Sequence, residues 1–160
     1  MKIRHLFLLS AAAFISTSAL ATDRNYHSRI CEVAESTSYS QSYYKGIGTI
    51  QNNDTTKYMR VLCPIVRTED TTVSASVYVV DNSSTADARC YVWGVNAGGS
   101  SASGRVEYSS GASTAYQTLN LSAITPGGTL WEDAYIDCYI PARDGTSLPS
   151  KFLHYTITEN

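Results

Sequence analysis

Between Tyr58 and Arg67 the chain reads Tyr-Met-Arg-Val-Leu-Cys-Pro-Ile-Val-Arg. Met59, Val61, Cys63 and Ile65 fall on one side of an extended strand, because side chains alternate with a period of two. Arg60, Leu62 and Val66 fall on the other side, so that face is expected to be half covered. A cysteine in the apolar phase brings a covalent tie into the buried layer. Pro64 has no N–H to give a ladder, which places this part of the strand at an edge, a bulge or a terminus.

The same period recurs along the chain. Val73, Ala75, Val77 and Val79 alternate with Ser74, Ser76 and Tyr78. Ala134, Ile136, Cys138 and Ile140 alternate with Tyr135, Asp137 and Tyr139 and stop at Pro141. Cys90 and Val92 oppose Tyr91 and Trp93 in the segment 88–95. Shorter strands are expected at Arg29–Val33, at Tyr43–Ile50 (weakened by two glycines), around Val106 and Tyr108, and over 116–121 with Leu119 and Leu121 inward. A last one has Leu153, Tyr155 and Ile157 inward. Thr22–Ile30 reads as a loose polar lead-in, 96–104 as a Gly/Ser loop, and Gln51–Thr56, Thr68–Asp70, Asp81–Ser84 and 125–128 as turns. No window of a dozen residues has a helical period. Many short strands with polar turns predict an all-β, single-domain antiparallel β-sandwich with jelly-roll connections, with a small barrel as the alternative.

The N-terminus carries Lys2, Arg4 and His5, then an apolar run from Leu6 to Ile15, then small residues ending Ala19-Leu20-Ala21. This is the pattern of a secretory signal peptide over 1–21, cleaved after Ala21. The run is too short to read as a membrane anchor. Residues 22–160 then form the domain, secreted or periplasmic, with no later membrane span. Removal of the leader leaves ten basic residues against fourteen acidic ones, a formal charge of −4 instead of −2. No cluster of Lys and Arg exists, so nucleic acid is not expected as a partner.

All four cysteines, Cys31, Cys63, Cys90 and Cys138, follow the leader, and an even count in an exported chain reads as two disulfides. Four cysteines allow three connectivities. Cys90-Tyr91-Val92 and Cys138-Tyr139-Ile140 share one local pattern, which favours pairing them and leaves Cys31 with Cys63. No cysteine is in a C-x-x-C and neither His27 nor His154 lies near a pair of cysteines in sequence, so zinc is not expected.

An early cysteine, a Gly-Ile-x-x-Ile-x-Asn stretch (Gly46 to Asn52), Val61-Leu62-Cys63-Pro64-Ile65-Val66-Arg67, Cys90, Cys138-Tyr139-Ile140-Pro141 and a terminal Tyr155-x-Ile157-x-Glu159 occur together. In these the chain resembles a group of small secreted bacterial proteins that contain disulfides and have no assigned function. The resemblance implies export and disulfide bonding and nothing about chemistry.

Twelve tyrosines and two tryptophans supply the candidate site. Tyr78, Tyr91, Trp93, Tyr135 and Tyr139 all fall on the face opposite the expected core. Exposed rings on a sheet stack on sugars or anchor a protein partner. The competing reading is that loops cover them, or that they pair across strands for stability. Cys90 and Cys138, if bridged on neighbouring strands, place Tyr91 and Tyr139 together on the far face, with Trp93 extending the row. Asp and Asn in the turns (Asn52, Asn53, Asp54, Glu69, Asp70, Asp81, Asn82, Glu132, Asp133) offer calcium-type oxygens, but none has the D-x-D-x-D-G spacing and turns favour these residues for backbone reasons. No G-x-S-x-G occurs, and His154 reads as an ordinary surface histidine. The expected function is therefore a non-catalytic binding protein for a glycan or protein ligand at the cell surface, with no cofactor. A structural, envelope-protective protein is the first alternative and a secreted hydrolase the second.

Overall fold

The computed structural model describes residues 21–34, 36–66, 72–96, 101–124, 131–145 and 147–160. The leader up to residue 20, the turns at 68–70 and 125–128 and the stretch 97–100 lie outside the described residues.

Eleven strands are described: β1 (Thr22–His27), β2 (Glu32–Val33), β3 (Tyr43–Lys45), β4 (Ile50–Asn52), β5 (Met59–Ile65), β6 (Val73–Val80), β7 (Arg89–Asn96), β8 (Ser101–Tyr108), β9 (Gln117–Ile124), β10 (Trp131–Ile140) and β11 (Lys151–Glu159). One 3-10 turn, Ser28–Ile30, lies between β1 and β2. The strands form two antiparallel sheets. One runs β3-β4-β11-β6-β9, with β1 pairing β11 beyond the short reach of β4. The other runs β2-β5-β10-β7-β8. From β5 to β11 the chain crosses between the sheets repeatedly, and only β7–β8 remains a hairpin within one sheet. This is the jelly-roll alternation expected of a sandwich.

The period-two runs explain the core. Met59, Val61, Cys63 and Ile65 face Val73, Ala75, Val77 and Val79 across the sandwich, joined by Cys90, Val92, Ile136, Cys138 and Ile140 from one sheet and Leu119, Leu121, Phe152, Tyr155 and Ile157 from the other. Both disulfides lie in this layer. Cys90 and Cys138 are directly opposite on β7 and β10 and are bonded, and Cys31 is bonded to Cys63. Pro64 falls where β5 has lost its outer neighbour, since β2 pairs only with Val61 and Leu62. The missing N–H therefore points to an unladdered edge.

Several local expectations need correction. Thr22–His27 is a strand, not a lead-in, held along β11 from Thr22↔Glu159 to His27↔His154. Its side chains are polar because one face of this edge strand meets solvent, and its alternating Asp23, Asn25 and His27 were hidden by that polarity. Arg29–Val33 is a 3-10 turn and a two-residue strand. Tyr43–Ile50 is a hairpin: Gly46 N–H donates to Thr49 O and Gly48 has φ 77°, so the glycines make the turn between β3 and β4. Gln51 and Asn52 belong to β4, and the Gly/Ser stretch enters β8 at Ser101. In β11 an irregularity between Phe152 and His154 shifts the phase, so Phe152 is fully buried and Leu153 only half-buried.

Buried polar side chains organise the turns. Asn52 donates Nδ2–H to Lys57 O and Ile140 O and accepts from Asp54 N–H. Asp54 in turn accepts from Thr56 and Lys57 N–H. Asp81, fully buried, accepts from Ser83 N–H, Ala88 N–H and the hydroxyls of Ser109 and Ser150. These oxygens are engaged by protein donors, the backbone role that turn Asp and Asn ordinarily serve.

Candidate functional site

The outer face of the five-stranded sheet can be read row by row from the register. Pro64, Tyr135 and Trp93 form one row. Glu32, Leu62, Asp137, Tyr91 and Val106 form the next. Arg60, Tyr139, Arg89 and Tyr108 form the third. Directly opposed residues on an antiparallel pair share a face, and their Cβ atoms lie about 5 Å apart.

The rings of this face touch. Tyr91 stacks on Trp93 at 5.7 Å and 17°, and meets Tyr139 edge-on at 6.0 Å. Tyr39, from the loop before β3, meets Tyr139 at 5.9 Å. Tyr91, Trp93, Tyr135 and Tyr139 are all half-buried, whereas Tyr108 is 53 % exposed at the rim. Trp93 Nε1 is enclosed and has no hydrogen-bond partner.

Charge is built into the third row. Arg60 donates both Nε–H and Nη2–H to Asp137, each at 2.9 Å, a bidentate pair around a carboxylate that is itself buried. That bond raises the Arg60 guanidinium above its ordinary pKa. The Arg60 guanidinium also lies over Tyr39 and Tyr139, and Arg89 lies over Tyr139 at 4.7 Å and over Tyr58 at 5.7 Å. Tyr139 is thus held between two cations and donates its hydroxyl to Asp137 Oδ2. Burial, a hydrogen bond with Tyr39 and the Asp137 charge push its phenol pKa up. Burial, then Asp137, does the same to Tyr135. The Tyr139 hydroxyl is thus engaged by Asp137, and its ring is what it offers outward.

A groove of about 410 Å³ adjoins Tyr135, lined by Ile30, Glu32, Leu62, Cys63 and Pro64. It exists because β2 is too short to flank the whole of β5.

Tyr78 does not join this strip. It points outward from β6, in the other sheet, and stacks on His154 at 4.2 Å. That opposite face is a ladder of small polar groups satisfying one another: Thr158 donates to Asp23, Thr156 to Asn25 and Ser76 to Asn120. A cleft of about 420 Å³ there is lined by Asn25, Tyr26, His27, Gly48 and His154. Burial, then His27, lowers the His154 pKa. Among the described residues this lining brings two imidazoles together.

The sequence reading missed Arg60, Arg89 and Asp137 as members of the aromatic face, and Tyr39, Tyr58 and Tyr108 as its surround. Alternation alone puts Arg60, Arg89 and Asp137 outward. In Arg105-Val106-Glu107-Tyr108 it would turn Tyr108 inward, and only the pairing with Arg89 places it on this face. What was lacking was the register that sets them in one row, and Tyr39 and Tyr58 reach it from irregular segments.

No protein-family model and no curated protein matches the chain. Solved structures do share its fold. The xylan-binding module CBM15 is 13 % identical with a TM-score of 0.50, over 89 % of this chain and 97 % of that one. The enzymatically active domain of tailspike protein 4 from bacteriophage CBA120 is 8 % identical with a TM-score of 0.53, over 88 % of this chain but 19 % of that one. At these identities the likeness establishes the β-sandwich and nothing finer.

Proposed function

We propose that this chain is an exported, non-catalytic glycan-binding protein whose binding surface is the aromatic face of the five-stranded sheet. The observation that carries this is the contiguous Trp93–Tyr91–Tyr139 strip, with ring faces and phenol hydroxyls set on rigid strands. Flat rings lose little entropy on ordering and stack on the apolar faces of sugars, while the polar groups along the strip supply hydrogen bonds. The contrast with the opposite sheet supports the choice of face, because the Ser/Thr/Asn side chains there are spent on each other. A sandwich fold shared with a xylan-binding module is consistent with the reading.

One observation favours a second reading, a structural protein without a small-molecule site. The rings are half-buried and already packed against Arg60 and Arg89, as cross-strand pairs that serve stability would be. The experiment that separates the two is retention on a panel of soluble and insoluble polysaccharides, with wild type beside Trp93→Ala and Tyr91→Ala. Glycan binding predicts retention by at least one polysaccharide and its loss in both variants while each still melts cooperatively. Failure to bind any member of the panel, or undiminished binding by both variants, overturns the proposal.

A further inference from the structure

Arg60 and Arg89 occupy the same row and differ in one respect. Arg60 is neutralised by Asp137 through two hydrogen bonds. Arg89 makes no ion pair among the described residues, and its Nε is buried without a hydrogen-bond partner. Its guanidinium lies over the rings of both Tyr58 and Tyr139. The side chain is half-buried, and its terminal nitrogens make no hydrogen bond among the described residues. A guanidinium whose side chain is fixed by rings, and whose outward N–H groups have no internal acceptor, is preorganised for an external one.

We infer that the glycans taken by the aromatic face carry carboxylates, and that Arg89 receives the carboxylate by a bidentate hydrogen bond while the sugar ring lies on Tyr91 and Tyr139. This rests on the glycan-binding reading above and narrows it to uronic-acid or other carboxylated sugars. The acids of the same face do not cancel Arg89. Asp137 is committed to Arg60, Glu32 is three strands away on β2, and Asp133 is at the far end of β10. Asp87, two residues ahead of Arg89, is exposed and makes no ion pair with it. The chain's net charge of −2 does not decide the matter, because at physiological salt distant charges are screened beyond about 8 Å.

The test is an array in which each uronic-acid oligosaccharide is printed beside its carboxyl-reduced form. The acid is expected to bind about tenfold more tightly than its reduced partner, the gain of one charge-assisted fork. Arg89→Gln should bring that ratio to about one without abolishing binding to the reduced form. Because Arg89 also stacks on two tyrosines, the wild-type protein supplies an independent readout. Raising NaCl to about 500 mM should weaken the acid and leave the reduced form unchanged. Equal or tighter binding of the reduced forms, or acid binding indifferent to salt, overturns this inference and leaves glycan binding standing. Absence of binding to every spot, acidic and neutral, overturns the glycan-binding reading and this inference with it.

Discussion

Trp93 is where binding and stability compete most directly. Its ring is half-buried, stacked on Tyr91, and carries an enclosed N–H without a partner. A fully buried aromatic costs about 3–5 kcal/mol on truncation to alanine, and Trp93 keeps part of its surface in water. Trp93→Ala is therefore expected to cost about 2 kcal/mol and to remain folded, while losing glycan binding. A thermal melt checks this: collapse of the cooperative transition would mark Trp93 as a core residue. Trp93→Phe is expected to lie within about 1 kcal/mol of wild type, since the lost contact area is offset by removal of an unsatisfied donor. Asp144 shows the opposite economy. It accepts hydrogen bonds from Ser83 Oγ, Ser84 N–H and Oγ, and Thr85 Oγ1, pinning the loop that leads into β7. These bonds, led by the Ser84 N–H, lower its pKa to about 2. A depressed carboxyl pKa stabilises the folded state above the unfolded value and loses that contribution as pH falls through the folded one. The melting temperature of Asp144→Asn should thus lie below wild type at pH 7. The gap should close between about pH 4 and pH 2. A gap that persists below pH 2 would show that the effect is not the carboxylate's.

Strands were legible where their two faces differ chemically. The runs of β5, β6 and β10 alternate apolar with polar, and each folds with the predicted side inward. The pattern shared by Cys90 and Cys138 put both sulfurs in the apolar phase of neighbouring strands, which is where they are bonded. β1 was illegible because it is an edge strand whose alternation is Asp-Asn-His against Arg-Tyr, with no aliphatic residue to mark it. The hairpin of β3 and β4 was illegible because two glycines within a β-like run can mean a bulge or a turn, and only φ decides. The candidate site was half legible for the same reason. Alternation assigned each ring to an outward face, but nothing in one sequence assigns Tyr78 and Trp93 to different sheets. The edge position of β1 carries its own prediction. His154 faces His27 across β1 and β11, and its pKa is lowered by burial and by that neighbour. A histidine whose folded pKa is below its unfolded value stabilises the native state above about pH 6.5, and this is lost as pH falls through the folded value. Amide exchange in Thr22–His27 should therefore accelerate between about pH 7 and pH 5, after correction for the intrinsic rate, more than exchange in β6. His154→Gln should abolish the difference. Uniform acceleration across the sheet would contradict local release of β1.

At the scale of the whole molecule, the two disulfides and the expected export are parts of one physical problem. Every sheet pairing except β3–β4 and β7–β8 joins strands that are not consecutive in sequence. Such contacts must overcome loop-closure entropy before they stabilise anything. The bridges act on that cost, closing separations of 32 residues (Cys31–Cys63) and 48 residues (Cys90–Cys138). On the chain-entropy account each restricts the unfolded state by about 4 kcal/mol. Together they reach about 8 kcal/mol, within the 5–15 kcal/mol that a domain of this size possesses in all. The fold is thus matched to a compartment that oxidises thiols, which is what the N-terminal pattern predicts; the mature protein is expected to begin at Thr22, the first residue of β1, and N-terminal sequencing of exported material checks this. The two bridges are not equivalent. Cys31–Cys63 ties the 3-10 turn and the short β2 to β5, at one margin of the sheet. Cys90–Cys138 joins two central strands under the Tyr91–Tyr139 contact, so it also sets the spacing of the aromatic strip. Replacing both members of a pair by serine should lower stability by several kcal/mol in either case, read as a drop in the denaturant midpoint. Only the Cys90→Ser/Cys138→Ser protein is expected to lose glycan binding under conditions where it is still folded. Cys31→Ser/Cys63→Ser should bind normally below its own midpoint. If the two variants instead bind equally well, the strip is held by its neighbouring strands and rings alone, and the central disulfide serves stability without shaping the site.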